Sequence, residues 1–364
     1  MQGSSQRAFG VAGGGARALA RSVLTRIGVF FGVSLLVFCV MHAAPGDPSL
    51  SVGVDIGDVG SVASDGARAR FRAEHLLDAS LVRQYLHYLG PFDLSPRGHA
   101  WFGGTDDHRW GGLLCFDFGH EFRRPTVSVS SELARRLAVT VPLTAIAILL
   151  AYALAVPLGV ACARRRGSAF DRGTSTLLLA CFSVPAYWAA LLLMLVFGAR
   201  GLDWLPMLGL HDKDAAEFGA IASTLDLARH ALLPVVVMTY GALAYIARQT
   251  RAAMIEALES DYVRAARARG LPEARVVWRH AFSNALFPLL TLAGSLLPAL
   301  VGGSVLVESI FELPGVGRYA YEGFLQRDYN VVMATTLVSA MMTLAGVALS
   351  DALYAWFDPR VRRA

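Results

Sequence analysis

Lysine is almost absent from this chain, since Lys213 is the only one among 364 residues and arginine carries the remaining basic charge. Charged residues of both signs make up only 17% of the sequence, against about a quarter in soluble globular proteins. Together with 55% hydrophobic residues and a mean hydropathy of +0.47, this scarcity excludes an ordinary soluble domain. Several apolar runs reach the roughly 20 residues that a membrane-spanning helix needs. The sequence therefore predicts an all-α integral membrane protein.

Cysteines and catalytic motifs are equally scarce. The four cysteines show no paired spacing, which argues against a disulfide framework or a zinc site. The chain contains no G-x-x-x-x-G-K-[ST], H-E-x-x-H or G-x-S-x-G motif, so it lacks a phosphate-binding loop of its own. The predicted spans are nearly free of ionisable side chains, which argues against a proton-coupled carrier and against intramembrane catalysis. We expect no catalytic, cofactor-binding or metal site, and no nucleic-acid partner.

The chain divides into four predicted regions. Residues 1–22 are rich in Gly, Ala, Ser and Arg without apolar periodicity, which indicates a disordered cytoplasmic tail. A cleaved signal peptide is the rival interpretation, but the apolar run begins late and no A-x-A-like site follows it. Residues 23–133 comprise a first membrane helix, about Val23 to Ala44, and a long extracytoplasmic insert. Residues 134–357 hold five more spans, and residues 358–364 form a cytoplasmic C-terminus. These five spans are predicted at about Leu137–Ala163, Thr174–Ala199, Ala228–Ala247, Ala281–Val307 and Tyr329–Phe357.

The insert offers few structural signals. Apolar residues at helical spacing predict a helix over Leu76 to Leu89, and Thr126 to Leu137 is an amphipathic stretch expected to lie along the membrane surface. Several metal-ligating residue types also occur in the insert, but their spacing matches no ligand motif. They are His99, Asp106, Asp107, His108 and His120.

The distribution of arginine predicts the orientation in the membrane. Six spans place both termini on one side, and the loops on that side are rich in arginine, with seven between Arg248 and Arg279. The short loops on the other side hold few, and a loop as long as the insert counts little in the positive-inside rule. Both termini are therefore predicted to be cytoplasmic.

Within that arginine-rich loop, residues Asp261 to Gly270 (DYVRAARARG) predict a short helix with both ends marked. Asp261 is a suitable N-cap, Gly270 suits the left-handed position after the last turn, and Pro272 prevents the helix from continuing. A short, basic helix at the membrane surface is predicted to be a docking helix, although a solvated basic connector has the same composition. One face is predicted to carry Tyr262, Ala265, Ala266 and Arg269, with Arg264 and Arg267 beside it.

A second motif, Val307 to Arg318 (VESIFELPGVGR), is predicted on the extracytoplasmic side. Pro314, Gly315 and Gly317 indicate a turn, and Glu308 and Glu312 are expected to line a short helix. This hairpin could be a gate or a seat for a binding protein, or it could simply hold the last two spans together.

These motifs resemble those of the dipeptide/oligopeptide family of bacterial ABC importer permeases, the membrane components of binding-protein-dependent transport systems. The resemblance covers nearly everything from Arg26 onward. Its most specific parts are Asp261 to Pro288 and Val307 to Arg318. Weaker matches follow the same order along the chain, at Gly32–Pro48, Phe116–Gly119, Leu133–Leu137, Ser183–Trp188, Arg327–Tyr329 and Asp358–Arg362.

The resemblance implies a type I ABC importer transmembrane domain in the bacterial inner membrane, within the lipid bilayer. It implies a homologous second permease, two ABC ATPase subunits that bind ATP and magnesium, and an extracytoplasmic solute-binding protein. It also implies a coupling loop at about residues 248–280. Where the general importer pattern has Glu before Ala265, this chain has Arg264, so the contact of that glutamate is not transferred to it. The implied coupling residues are Asp261, Tyr262, Arg264, Ala265, Ala266, Arg267 and Gly270. Those of the extracytoplasmic gate or seat are Glu308, Glu312, Pro314, Gly315, Gly317 and Arg318.

Two hypotheses of other classes remain. An ion-coupled secondary carrier should show carboxylates within the membrane and an internal repeat, and neither is visible. A membrane anchor without transport would keep the docking helix but would not need proline-interrupted spans. The sequence does not identify the solute, for which peptides are the family's centre.

Overall fold

Helices account for nearly all regular structure in the computed structural model, which describes residues 6–43, 48–51, 65–90, 94, 111–198, 201–212 and 214–357. Within these ranges there is no β-strand, only an isolated antiparallel bridge between His120 and Ser128. The α-helices are α1 (Gln6–Ala43), α2 (Asp65–Glu74), α3 (Leu81–Leu89), α4 (Val129–Arg164), α5 (Ala169–Ser183), α6 (Ala186–Phe197), α7 (Ala220–Glu259), α8 (Asp261–Ala268), α9 (Glu273–Arg275), α10 (Phe282–Ser295), α11 (Leu297–Gly302), α12 (Val305–Ile310), α13 (Val316–Gln326) and α14 (Tyr329–Phe357). Short 3₁₀ turns occupy Pro48–Ser51, Leu113–Cys115 and Ala215–Glu217, and a π-helical segment occupies Val276–Ala281.

Five segments of the described chain are long and apolar enough to cross a membrane, and there are six if one bent helix pair counts as a single span. This confirms the predicted fold class. The five are Val23–Ala43, Val129–Arg164, Ala220–Glu259, Glu273–Leu300 and Tyr329–Ala352, and the pair is α5 with α6.

The third predicted span, at about Thr174–Ala199, is sharply bent at Pro185. α5 and α6 meet at an angle of 94°. Pro185 has no N–H to donate, and a residue that precedes proline is disfavoured in the helical region, so Val184 adopts an extended conformation (φ −83°, ψ 122°). The hydroxyl of Tyr240 in α7 donates to the carbonyl oxygen of Val184 at 2.7 Å. The carbonyl group that the break leaves without a helical hydrogen bond is therefore satisfied by the side chain of Tyr240.

The fifth span also differs from its prediction. It begins at Glu273, passes through the π-helical segment and ends with α11, where Gly303 adopts a left-handed φ of +58°. The predicted limits, Ala281 and Val307, were both too late in the chain. The insertion of one residue per turn in the π-helical segment shifts the register that simple helical spacing assumes.

The N-terminal tail was predicted to be disordered, but α1 extends back to Gln6. Alanine and arginine are strong helix formers, so this segment continues the ladder of the membrane helix despite its glycines. The prediction of disorder is wrong from Gln6 onward, and residues 1–5 lie outside the described chain.

The insert is more helical than predicted, with α2 unforeseen and α3 starting at Leu81 rather than Leu76. The stretch Thr126–Leu137 runs into the first turns of α4 instead of forming a separate element. Of the five residues considered for a metal site in the insert (His99, Asp106, Asp107, His108 and His120), only His120 belongs to the described residues, where it lies exposed.

The chain forms two compact units whose limits differ from those of the four predicted regions. The units do not test that prediction, which remains open. The first consists of Met1–Glu132 with Gly323–Leu344 and the second of Leu133–Glu322 with Ala345–Ala364. Aromatic contacts join parts of the first unit, with the His42 ring 5.0 Å from that of Tyr329. In the second unit α4 and α7 approach closely at Gly159, where the absence of a side chain leaves room for Thr250. A Cβ at Gly159 would lie only 2.6 Å from the Cβ of Thr250.

Candidate functional site

The helix predicted for docking is present as α8, with its N-terminus one residue earlier than predicted. Ser260, not Asp261, is the N-cap residue, and it makes no side-chain capping hydrogen bond. Asp261 is the first helical residue, where its carboxylate faces the positive end of the helix dipole and pairs with Arg264 one turn later. The predicted N-cap role of Asp261 is therefore wrong.

The C-terminus of α8 closes as predicted around Gly270, whose φ of +74° is in the left-handed region. Its N–H donates to the carbonyl of Arg267 at 2.9 Å, and the N–H of Leu271 donates to that of Ala266 at 3.4 Å. This pair of bonds is the Schellman arrangement, which satisfies carbonyls that a helix end otherwise leaves open. A helix of eight residues thus gains a defined end.

α8 is seated on a hydrophobic core. Val263 and Ala266, one turn apart, are buried and pack with residues from the ends of α4 and α7 and from the π-helical segment. Ala266 was predicted to share a face with Tyr262, Ala265 and Arg269, but those three are exposed. The helix therefore turns one face inward and leaves the other to solvent. The full core contains Val160, Ala163, Met254, Ala257, Val263, Ala266, Val276, Val277, Ala281 and Ala285.

The charged residues of α8 are exposed and engage nearby partners. Arg267 forms an ion pair with Glu273 of α9 at 2.9 Å, which crosses the turn that follows the helix. Both side chains are about half exposed, so the pair contributes at most about 1 kcal/mol. The arrangement leaves the side chains of Tyr262 and Ala265 as a shallow surface on a rigid base.

A second ion pair at this end of the unit was missed by sequence reasoning. The guanidinium of Arg251 in α7 contacts both carboxylate oxygens of Asp171 in α5, at 2.6 and 2.8 Å. Asp171 is buried, and it also accepts from the backbone N–H of Gly167 at 2.9 Å. Such bidentate pairs fix geometry as well as charge. The 80 residues that separate the partners explain why no local pattern indicated them.

The predicted hairpin, Val307 to Arg318, is built around a buried carboxylate. Glu308 is only 3% exposed, and its carboxylate accepts hydrogen bonds from the hydroxyl of Thr140 at 3.0 Å and from the backbone N–H of Arg318 at 2.8 Å. The N–H of Gly317 is a third donor. Burial raises the pKa of the Glu308 carboxyl above its ordinary value, and these hydrogen bonds oppose part of that rise.

Three glycines pack so closely around this carboxylate that a side chain at any of them would force neighbouring atoms to move. A Cβ at Gly303 would lie 2.1 Å from Oε1 of Glu308, one at Gly315 would lie 2.4 Å from Oε2, and one at Gly317 would lie 3.0 Å from Oε2. The glycines therefore allow the backbone to close around the carboxylate and to present its N–H groups to it.

The remaining predicted residues of the hairpin face outward. Glu312 follows α12 with φ +51° and is exposed, so the prediction that it lines the helix with Glu308 is wrong. Pro314 is exposed as well. Arg318 pairs with Glu322 at 2.8 Å, and Arg136 approaches the same carboxylate at 3.9 Å. The motif thus combines an internal carboxylate with an external charged rim.

The first unit contains another buried carboxylate that the sequence analysis did not identify as a site. Asp328 is 2% exposed and accepts from the backbone N–H of Phe122 at 2.6 Å and of Val331 at 3.2 Å. Burial raises its pKa to about 6, and these hydrogen bonds limit the rise. Asp328 therefore joins the insert to the start of α14.

Comparison with known proteins gave consistent results. The family described as "Binding-protein-dependent transport system inner membrane component" matches residues 155–363. The oligopeptide transport system permease protein AppB of Bacillus subtilis (strain 168) is 33% identical, over 94% of this chain and 98% of the relative. The di/tripeptide transport system permease protein DppB of Pseudomonas aeruginosa (strain UCBPP-PA14) is 36% identical with the same coverage.

Two further matches are a third relative and a solved structure of lower sequence identity. The dipeptide transport system permease protein DppB of Escherichia coli (strain K12) is 32% identical over 93% of this chain and 98% of the relative. A solved structure of the MetNI methionine ABC transporter in inward-facing conformations aligns with a TM-score of 0.49 at 18% identity, covering 63% of this chain and 97% of that one.

Proposed function

The chain belongs to the family of binding-protein-dependent transport system inner membrane components, and from that premise we propose that it forms half of a translocation pathway for peptides or related small solutes. The relatives that match over nearly their whole length carry oligopeptide, di/tripeptide and dipeptide transport in their names. The other half comes from a homologous second permease.

Hydrolysis of ATP takes place on separate subunits. The chain contains no phosphate-binding loop, so two ATPase subunits bind ATP and magnesium and dock on α8. A solute-binding protein delivers the solute on the opposite side of the membrane. The arginine distribution supports an orientation with both termini and α8 in the cytoplasm.

The observation that carries this proposal is the two-sided character of α8. Its inward face is built into the core shared by α4, α7 and the π-helical segment, so a displacement of α8 displaces the ends of those helices. Its outward face presents Tyr262 and Ala265, where a small side chain permits close approach of a partner. ATP-driven closure of the ATPases can in this way change the relative positions of the spans.

The hairpin has a different proposed role. Because Glu308 is buried, it shapes the hairpin rather than contacting a partner, and the outer residues Glu312, Pro314 and Arg318 are the ones available for a binding protein or a gate. The simpler alternative, that the hairpin only holds neighbouring helices, makes the outer residues replaceable without loss of transport.

A pull-down tests the docking proposal. The chain is purified in mild detergent from membranes of its native host, and proteins present in stoichiometric amounts are identified by mass spectrometry. Ala265→Glu places a charged side chain on the outward face of α8. Ala222→Glu, at another exposed alanine near the start of α7, is the matched control.

We expect an ATPase with a phosphate-binding loop to copurify with the unchanged chain and with Ala222→Glu, and to be lost with Ala265→Glu. ATP-dependent uptake of a radiolabelled dipeptide into vesicles should follow the same order. If no ATPase copurifies and uptake ignores ATP, a carrier or anchor replaces the importer as the explanation. If Ala265→Glu retains the ATPase, docking occurs elsewhere.

A further inference from the structure

Four metal-ligating side chains converge where the chain enters α7. His211 and Asp212 precede the helix, while Asp226 and His230 stand on its first turns. Asp226 is 6% exposed and His230 4% exposed, so two of the four are buried against the protein. They lie at the end of α7 opposite to α8 and belong to neither motif described above.

The distances bring the potential donor atoms within reach of one ion. One donor atom each from Asp212, Asp226 and His230 lies within 4.8 Å of the other two. Nε2 of His230 is 3.7 Å from Oδ1 of Asp212, which is too long for a hydrogen bond. Two ligands around a tetrahedral zinc ion, each about 2.1 Å from the metal, lie about 3.4 Å apart. The observed spacing is therefore within a small side-chain rotation of that geometry.

The tautomer of His230 is fixed by its surroundings. Its Nδ1 lies 2.9 Å from the backbone carbonyl oxygen of Asp226, which can only accept a hydrogen bond. Nδ1 must therefore carry the proton, and in the neutral ring the lone pair is on Nε2, the atom that faces Asp212. Metal-binding histidines characteristically donate their other N–H to a carbonyl or carboxylate in this way.

His211 and the backbone orient the second carboxylate. Nδ1 of His211 lies 2.9 Å from Oδ2 of Asp226, and the N–H of Asp212 donates to the same oxygen at 3.2 Å. The other oxygen of Asp226, Oδ1, is 3.1 Å from Nδ1 of His230. Asp212, with a side chain 61% exposed, gives an ion a route from solvent to the buried residues.

We propose that Asp212, Asp226 and His230 bind a divalent transition-metal ion of the zinc class, with His211 as an additional ligand or as the partner that orients Asp226. Two carboxylates and imidazole nitrogen form a mixed O/N set that suits zinc and its neighbours better than magnesium or calcium, which prefer oxygen alone. The ion attaches the loop before α7 to the first turns of that helix. Sequence analysis expected no metal site and did not consider these residues; 14 positions separate Asp212 from Asp226, and no ligand motif has that spacing.

Metal binding is measured on the full-length chain, purified with its copurifying subunits on a tag that contains no histidine. The protein is stripped with a chelator, loaded with Zn²⁺, desalted and analysed by inductively coupled plasma mass spectrometry, and the thermal unfolding midpoint is recorded with and without Zn²⁺ or Mg²⁺. The test variant is Asp212→Asn, whose exposed side chain makes misfolding a minor concern. Asp203→Asn, another exposed aspartate in the same loop, is the matched control, and His230→Gln is a second test variant.

We expect about one zinc ion per chain in the unchanged protein and in Asp203→Asn, with an unfolding midpoint that rises with Zn²⁺ and not with Mg²⁺. Removal of an outer-shell partner weakens metal binding about 10- to 100-fold, so removal of the ligand in Asp212→Asn should weaken zinc binding at least 100-fold. The proposal is overturned if Asp212→Asn, folded as judged by its subunit composition, keeps the zinc content and midpoint shift of the control. It is equally overturned if the unchanged protein binds no stoichiometric zinc.

Discussion

The two most specific sequence motifs of this chain, the helix α8 that we propose for docking and the hairpin around α12, use charge in opposite ways. α8 turns small apolar residues inward and keeps its arginines on the surface, where each pairs with a neighbouring carboxylate. The hairpin turns Glu308 inward and closes glycines around it. The first arrangement leaves a surface for a partner, and the second builds an internal joint. Two motifs of similar length and polarity can thus have different roles, one offering a surface to a partner and the other stabilising the fold. The burial of their charged side chains distinguishes the two roles.

The strongest test of this contrast removes the buried carboxylate. Glu308→Ala deprives the Thr140 hydroxyl and the N–H groups of Gly317 and Arg318 of their acceptor. Each buried donor left without a partner costs about 1–3 kcal/mol, so we expect the free energy of unfolding to fall by about 4 kcal/mol. Denaturant unfolding in detergent measures the change.

The matched control is Glu312→Ala, four residues later and exposed, for which we expect a change within about 0.5 kcal/mol. Equal losses in both variants would show that the hairpin does not depend on its buried carboxylate, and the contrast with α8 would disappear.

Asp328 extends the comparison to pH. Its pKa is raised to about 6 in the folded protein, above the ordinary value of 3.8, so the folded state binds more protons between these values. The stabilising contribution of protonated Asp328 to the free energy of unfolding is therefore complete below pH 3.8. It is lost as pH rises to about 6, which lowers the free energy of unfolding by up to about 3 kcal/mol. We expect Asp328→Asn to flatten this part of the stability profile.

Thermal unfolding of both proteins between pH 4 and pH 7 gives the difference. Glu308 contributes a slope of the same sign in both proteins, since burial raises its pKa too, so only the difference between them reports on Asp328. If the stability of both proteins depends on pH in the same way, the raised pKa of Asp328 is contradicted.

Gly270 tests how firmly α8 is held. A Cβ there would meet nothing within 4 Å, so the cost of a side chain is conformational rather than steric. We expect Gly270→Val to cost about 2 kcal/mol, because a β-branched residue is strained at positive φ, and Gly270→Asn to cost less than half as much.

The readout is the amount of ATPase retained in the pull-down, compared with the thermal midpoint of the same samples. If valine and asparagine behave alike, the left-handed end of α8 does not determine its position.

The smallest expected effect belongs to the surface charges. Arg267→Gln removes an ion pair between half-exposed side chains and should change stability by less than about 1 kcal/mol, with a further decrease of the effect at high salt. Unfolding at low and high ionic strength measures it. A loss as large as that of Glu308→Ala would mean that charge on α8 is structural after all.

Sequence reasoning reached the local features of both motifs and missed the long-range ones. Gly270 and Pro272 fixed the end of α8, since capping depends on a few consecutive residues. The burial of Glu308 depends on Thr140, 168 residues away, and no local pattern encodes that contact. The face of α8 was misassigned for a related reason, because α4 and the π-helical segment determine which side is covered. Glu312 was placed in a helix that ends before it.

The membrane spans show the same division. Hydropathy predicted six spans, and the described chain has six if the bent pair α5 and α6 is one span. The angle of the break at Pro185 and the π-helical segment depend on backbone details that averaged hydropathy does not contain. The insert was the least predictable region, since its polar composition fits many conformations. The metal site considered for the insert involves residues that lie mostly outside the described chain.

The sharp bend between α5 and α6 has a consequence for biogenesis. With 15 and 12 residues, the two limbs measure about 22 and 18 Å, and neither reaches across a hydrocarbon core of about 30 Å. The carbonyl at the bend obtains its hydrogen bond from Tyr240, which is synthesised more than fifty residues later. The bend can therefore acquire this hydrogen bond only after α7 has been synthesised.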